Sequence, residues 1–329
     1  MSRHYMTRIV AIGGGTGLSV MLRGLKAYSE NLCAVVTVSD DGGGSGMLRE
    51  DLGMPPPGDI RNCLKALANT EQLMEELLDY RFSEGSLKGQ SFGNLFLAAL
   101  NGMSKSFDEA VYKMSQVLAI TGRVLPVSNE DIRLSAIFDD GSTVDGESRI
   151  AEYKQGNIKR IEKVFLRPEK PKAIPEVIEA IERAELIIMG PGSLYTSVIP
   201  NLLVDGVSVA IKRSKAMKIY VMNLMTQEGE TEDCTASEHV KAIFDAAEGK
   251  VFDYVIADVS RIPAMVLDRY AETGNSQVVL DKEELSKLGV ELIERELAVW
   301  KNALVRHDPN VLAREIMAVY RELSETKVY

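Results

Sequence analysis

A mainly parallel α/β fold is predicted by three observations. Short apolar runs alternate with amphipathic stretches of helical period along most of the chain. Several of those runs are continuous and β-branched, as strands covered on both faces are. Two of them, Arg8–Ile12 and Leu186–Met189, lead straight into glycine turns that open a new pattern.

The first element is the strand Arg8-Ile9-Val10-Ala11-Ile12, followed by Gly13-Gly14-Gly15-Thr16-Gly17-Leu18. Leu18, Met21, Leu22 and Leu25 then keep the spacing of a helix. Backbone N–H groups left free at a helix start favour negative charge, and glycines remove the Cβ atoms that would block a close ligand. Gly14, Gly15, Thr16 and Gly17 are therefore candidate phosphate contacts. The match to G-x-G-x-x-G is incomplete, because Leu18 stands where the last glycine belongs. A turn serving backbone geometry alone is the alternative.

The second strand is Cys33–Ser39, and it ends in Asp40-Asp41-Gly42-Gly43-Gly44-Ser45-Gly46, read as a glycine loop. An acid at the end of a second strand commonly takes a ribose hydroxyl. Asp40 lies 27 residues after Gly13, further than the spacing of about 20 typical of that role. Paired carboxylates beside phosphate also suit Mg²⁺. Simple turn capping is the third option for Asp40, Asp41 and Gly42. In Met54-Pro55-Pro56-Pro57-Gly58-Asp59-Ile60-Arg61-Asn62 the prolines stiffen the approach to a helix, and Asp59 is equally a cap or a metal or ligand contact.

Residues 60–122 read as a helical insertion, with Leu64, Leu67, Leu73, Leu77, Leu97, Leu100, Val111 and Met114 in helical register. Within it Gln90-Ser91-Phe92-Gly93-Asn94 opens a helix, where Asn94 either caps or turns its amide to a ligand. From Val124 to Phe165 the period changes to two, around a turn at Asp139-Asp140-Gly141-Ser142, with a weak strand over Ile158–Leu166. That region reads as antiparallel hairpins serving as scaffold.

The βα rhythm returns with a helix over Ile174–Ala184 and the strand Leu186–Met189. It runs into Gly190-Pro191-Gly192-Ser193-Leu194-Tyr195-Thr196-Ser197, with Ser193 placed to cap. Two strand–glycine–helix junctions in one chain point to a ligand crevice, so Gly190, Gly192 and Ser193 join the candidates. The strand Lys218–Leu224 carries the polar loop Met225-Thr226-Gln227-Glu228-Gly229-Glu230-Thr231, suited to reading a base or sugar. Then come a helix around Val240 and Phe244, a strand at Tyr254–Ala257, a helix over Ile262–Tyr270 presenting Tyr270, and a short strand at Val278–Leu280. A final helix follows Arg306-His307-Asp308-Pro309. Arg306 either forks onto phosphate or forms a surface ion pair.

Composition bounds the function. The net charge of −10 and the lack of a basic run argue against nucleic acid. No apolar run approaches the ~20 residues that span a bilayer, and Met1–Thr7 lacks a signal-peptide core. Cys33, Cys63 and Cys234 are scattered and odd in number, which fits reduced thiols in a cytoplasm. His4, His239 and His307 form no ligand pair. With no repeat or linker, residues 1–329 read as one Rossmann-like domain carrying its insertion.

These motifs, in this order, resemble the YvcK-type gluconeogenesis factors within the wider CofD-like group. The matching stretches are Ile12–Gly17, Ser39–Gly43, Pro56–Asn62, Gly93-Asn94, Gly190–Ser197 and Met225–Thr231. Gly44 departs from the group's loop, which carries a serine there. The resemblance implies a Rossmann-like fold and a cytoplasmic binder of UDP-sugars such as UDP-N-acetylglucosamine, linking carbon supply to cell-wall growth and cell shape. It implies Tyr270 and Arg306 as residues that hold the nucleotide sugar, and partners among cell-wall synthesis or regulatory proteins; Asn62, in the matching Pro56–Asn62 stretch, joins the candidate ligand contacts. Self-association stays open. The related CofD enzymes transfer a phospholactyl group with Mg²⁺ held by aspartates, and Asp41 and Asp59 are the positions that would correspond. On the sensor reading no cofactor is required. NAD, which also carries a pyrophosphate, would fit the same crevice.

Overall fold

The computed structural model describes residues 6–154, 159–232, 234–302 and 304–326. It begins with β1 (Ile9–Gly13), α1 (Gly15–Leu25) and β2 (Leu32–Val36). Five helices then intervene: α2 (Gly43–Leu52), α3 (Gly58–Leu67), α4 (Gln72–Asp79), α5 (Phe92–Gly102) and α6 (Phe107–Val117). After β3 (Arg123–Pro126) come β4 (Arg133–Phe138), β5 (Thr143–Asp145), α7 (Glu147–Lys154) and β6 (Ile161–Arg167). Next are α8 (Pro175–Arg183), β7 (Leu186–Met189), a π-turn at Leu194–Val198, α9 (Ile199–Leu202), α10 (Val207–Arg213) and β8 (Met217–Val221). The chain continues through α11 (Ala236–Ala246), β9 (Tyr254–Asp258), α12 (Ala264–Ala271), α13 (Lys282–Lys287) and β10 (Glu291–Arg295). It closes with the ribbon β11 (Ala298–Lys301) and β12 (Leu304–His307), and then α14 (Pro309–Thr326).

Seven strands form one parallel sheet in the order β10-β9-β8-β7-β1-β2-β3. The first strand of the chain is therefore interior to the sheet, with Ile9 beside Leu32 on one side and Leu186 on the other. Every residue of β1, β2 and β7 is buried, which explains their unbroken apolar sequences. Helix α1 buries Leu18, Met21, Leu22 and Leu25, and packs against α3 and α14. Gly24 lies so close to the Pro309 carbonyl that no side chain fits between α1 and α14. None of the described helices is long and apolar enough to cross a membrane.

The expected α/β architecture, helices between the second and third strands, and antiparallel region are all present. The second sheet, in the order β5-β4-β6, is antiparallel. Four details differ from the sequence reading. The glycine run after Asp41 is the first turn of α2, although glycine disfavours helix. Tertiary contacts override propensity there. The buried Arg49 of α2 donates to Asp131 at 2.8 Å and to the Ile132 carbonyl. Next, β3 joins the main sheet, and the hairpin region contains a helix, α7. Third, Val278–Leu280 is no strand; an isolated bridge, Met225–Gln277, lies beside it. Last, the β11–β12 ribbon was not foreseen, because its paired residues are too few to show a period. Ile158 and His4 lie outside the described residues.

Candidate functional site

The sheet changes direction of growth between β1 and β7, and parallel sheets bind ligands at the carboxyl ends of strands at such a point. Both glycine turns sit there. They touch because position 17 has no side chain: a Cβ on Gly17 would lie 2.5 Å from the Pro191 carbonyl oxygen. Gly15 has φ of +65°, a conformation that L side chains rarely adopt.

Between these turns, the loop after β8, α12 and β12 lies a cleft of about 460 Å³. Gly14, Gly15, Thr16, Gly17, Gly192, Ser193, Thr226, Tyr270 and Arg306 all line it. Nine expected positions from five distant stretches thus meet on one surface. Asn223, Gln227, Glu228, Asn275 and His307 line it too and were not singled out. The polarity of the Met225–Thr231 loop was the available signal for Gln227 and Glu228. Nothing in the sequence pointed to His307, the last residue of β12.

Hydrogen bonds fix the walls. The Asn223 Oδ1 accepts the Gly192 N–H at 3.2 Å. The Ser193 hydroxyl caps no helix. It donates to Gln227 Oε1 at 2.7 Å, because the following segment winds as a π-turn. Gln227 donates in turn to the buried Glu230 at 3.2 Å, which also accepts the Thr196 hydroxyl at 3.0 Å. Thr226 Oγ1 accepts the Ser276 N–H at 2.9 Å. On the opposite wall the Tyr270 hydroxyl accepts the Val305 N–H at 3.0 Å, joining α12 to the ribbon. Asp258, at the end of β9, accepts the Leu297 and Ala298 N–H groups at 2.8 and 3.1 Å and anchors the ribbon's root. The exposed Arg306 guanidinium donates to the Val305 carbonyl at 2.8 Å, with further N–H groups left for a ligand. Burial pushes the His307 imidazole down to about 4, so it is neutral near pH 7.

The expected acids sit elsewhere. Asp40, Asp41 and Asp59 are not among the residues lining the cleft. Asp59 lies directly behind the phosphate-type turn: a Cβ on Gly14 would be 2.6 Å from its Oδ2, and its carboxyl accepts the Gly15 N–H. One amide expected to face a ligand is therefore already engaged. Burial, reinforced by the Asp40 carboxylate, pushes the Asp59 carboxyl up to about 7. Asp40 accepts the Gly42 N–H at 2.8 Å, and burial raises it as well. Glu147, at the start of α7, stands near Asp40, Asp59 and Glu230 and is raised by burial and by those charges. The hairpin region, read as scaffold, thus contributes a carboxyl to this crowd. Asp41, whose charge also raises Asp40, accepts the Ser148 N–H at 2.9 Å.

The remaining positions are also outside the main cleft. Gly42 precedes α2 beside Asp40. Gly190 packs under the Val221 carbonyl. Asn94 donates its N–H to Ser91 Oγ at 3.2 Å, so Ser91 is the cap, and the buried Asn94 Oδ1 has no partner among the described residues. Asn62 lines a smaller pocket next to the cleft. Among the described residues no three His, Cys, Asp or Glu side chains converge as a metal site. In this arrangement Asp41 and Asp59, facing Ser148 and Gly15, do not fit a shared Mg²⁺.

A family model described as 2-phospho-L-lactate transferase CofD matches residues 9–298. The chain is 54% identical over 313 residues to a putative gluconeogenesis factor of Thermoanaerobacterium thermosulfurigenes, covering 95% of this chain and 96% of that one. It is 45% identical over 316 residues to the gluconeogenesis factor of Bacillus subtilis strain 168, covering 96% and 98%. A putative gluconeogenesis factor of Clostridium acetobutylicum is 53% identical over 307 residues, covering 93% of this chain and 68% of that one. An X-ray crystal structure of a protein from Bacillus halodurans is similar with a TM-score of 0.91 and 43% identity, covering 94% of this chain and 99% of that chain.

Proposed function

The chain belongs to the CofD family, among the proteins named gluconeogenesis factors, and on that premise we propose that it binds a UDP-sugar as a regulator. The ligand is UDP-N-acetylglucosamine or a close relative, and the protein is cytoplasmic. Through it, carbon supply on gluconeogenic growth is linked to cell-wall synthesis and cell shape.

One observation carries this reading. The glycine turns after β1 and β7 share a single cleft with Tyr270 and Arg306. A diphosphate at the start of α1 would meet backbone N–H groups, the helix dipole and the Arg306 fork together. The cleft volume of about 460 Å³ lies within the usual range for small-ligand sites.

Titration calorimetry with UDP-N-acetylglucosamine tests it. A saturable isotherm is expected, with a thermal shift that a ligand at 100-fold over its Kd produces through ~2.7 kcal/mol of stabilisation. Absence of heat and of a shift at millimolar ligand overturns the reading. NAD serves as a second probe of the same cleft.

The crowd of carboxyls behind the phosphate-type turn favours a second reading, a CofD-like phospholactyl transferase. On that reading Asp59→Asn abolishes the transfer. No transfer by the wild-type protein to any deazaflavin acceptor with Mg²⁺ present removes it.

A further inference from the structure

Helix α1 does more than start at the cleft. A second pocket of about 310 Å³ adjoins the first and shares Thr16, Val20 and His307 with it. Thr16, Ser19, Val20 and Arg23 follow one another at helical spacing along its floor, and Asn62 and Lys65 of α3 form the facing wall. None of the described residues lining this annex is acidic, although the chain as a whole carries −10.

The two cations differ. Lys65 is held by Asp79 at 2.6 Å. Arg23 makes no ion pair among the described residues, and its side chain is exposed. Asn62 Oδ1 accepts from Arg61 at 2.8 Å, which leaves the Asn62 amide N–H groups to the annex. The neutral His307 at the junction adds no charge, so the positive character comes from α1 and α3.

Seven residues separate Thr16 from Arg23, about 10 Å along the axis at 1.5 Å per residue. Helical side chains lean toward the N-terminus, which shortens the gap an attached group must cross. A diphosphate seated at the start of α1 carries two groups, and the one turned along α1 comes within reach of Arg23.

We propose that the annex binds a second anionic group, a carboxylate on the sugar of the nucleotide sugar, and that Arg23 makes the site prefer acidic nucleotide sugars over neutral ones. The inference rests on the UDP-sugar reading above and names the class of sugar within it. Arg23 and Lys65 are specificity residues on this account, separate from the diphosphate contacts.

Calorimetry with two matched pairs tests it: UDP-glucose against UDP-glucuronate, and UDP-N-acetylglucosamine against UDP-N-acetylmuramate. The wild-type protein should bind the acidic member of at least one pair about fivefold more tightly. Arg23→Gln should erase that preference, Arg23→Lys should keep part of it, and the affinity for the neutral member should stay within about twofold in both variants. Equal affinities across both pairs overturn the annex and leave the UDP-sugar reading standing. So does a preference that survives Arg23→Gln, which would trace it to Arg306. Failure of all four compounds to bind overturns both.

Discussion

The carboxylate of Asp41 accepts the backbone N–H of Ser148, 107 residues further along the chain, at 2.9 Å. An aspartate of the loop after β2 thereby caps α7 of the antiparallel unit. Helix starts favour such an acceptor, and losing it typically costs about 1 kcal/mol. Asp41→Ala should speed amide exchange across α7 and lower stability by about that amount, while Asp41→Asn, which keeps an oxygen acceptor, should cost less. Unchanged exchange in α7 would make the contact incidental.

Arg306 reaches the cleft on β12, whose Val305 N–H is held by Tyr270. Arg306→Ala should weaken UDP-N-acetylglucosamine by more than tenfold, about 1.4 kcal/mol, with the melting temperature of the free protein unchanged. Tyr270→Phe leaves the Val305 N–H without its acceptor, so it should lower both affinity and the protection of residues 304–307 in hydrogen exchange. An unaltered Kd in the arginine variant would confine Arg306 to the surface.

Gly15→Val is expected to abolish binding while the protein stays folded. The residue has φ of +65°, and its Cβ would meet only Ser197 Oγ at 3.6 Å, so the penalty is local strain of about 1–3 kcal/mol. The added side chain would stand in the cleft where a phosphate belongs. Circular dichroism and calorimetry on the same sample separate the two effects. Retained affinity would contradict the phosphate assignment.

Stability should peak in mildly acid solution. Asp59 titrates at about 7 when folded and near 4 when unfolded. Between those values the folded state holds a proton that the unfolded chain has lost, so stability falls as pH rises through that window. The raised Asp40 and Glu147 act in the same direction. His307, lowered to about 4, acts oppositely: the unfolded chain gains its proton near 6.5, and stability falls as pH drops from there. Asp59→Asn should therefore stabilise the protein at pH 8 by at least ~1 kcal/mol and by much less at pH 5, read from urea denaturation at each pH. An equal effect at both would refute the assigned titration.

What the sequence disclosed was the part written in short range. Arg8–Gly17 and Leu186–Ser193 each carry strand, turn and helix start within a dozen residues, and both junctions were legible. Their meeting was also inferable, since two such turns in one parallel sheet share an end. The acids were harder. Asp40, Asp41 and Asp59 look alike as sequence, yet Asp41 serves α7 while Asp59 lies behind Gly14. Those destinations depend on contacts 107 and 45 residues apart, which no local pattern records. Glu147 was invisible for the same reason: its neighbours Asp40, Asp59, Thr196 and Glu230 arrive from four other segments.

The interior place of β1 has a consequence for synthesis. Ile9 emerges from the ribosome long before Leu186, the partner that completes its second side. At about 5–20 residues per second the wait is roughly 10–35 s, during which one flank of an all-apolar strand has nothing to pair with. A nascent chain stalled within that interval displays a sticky edge and no cleft, which makes it a natural client for a chaperone acting during translation.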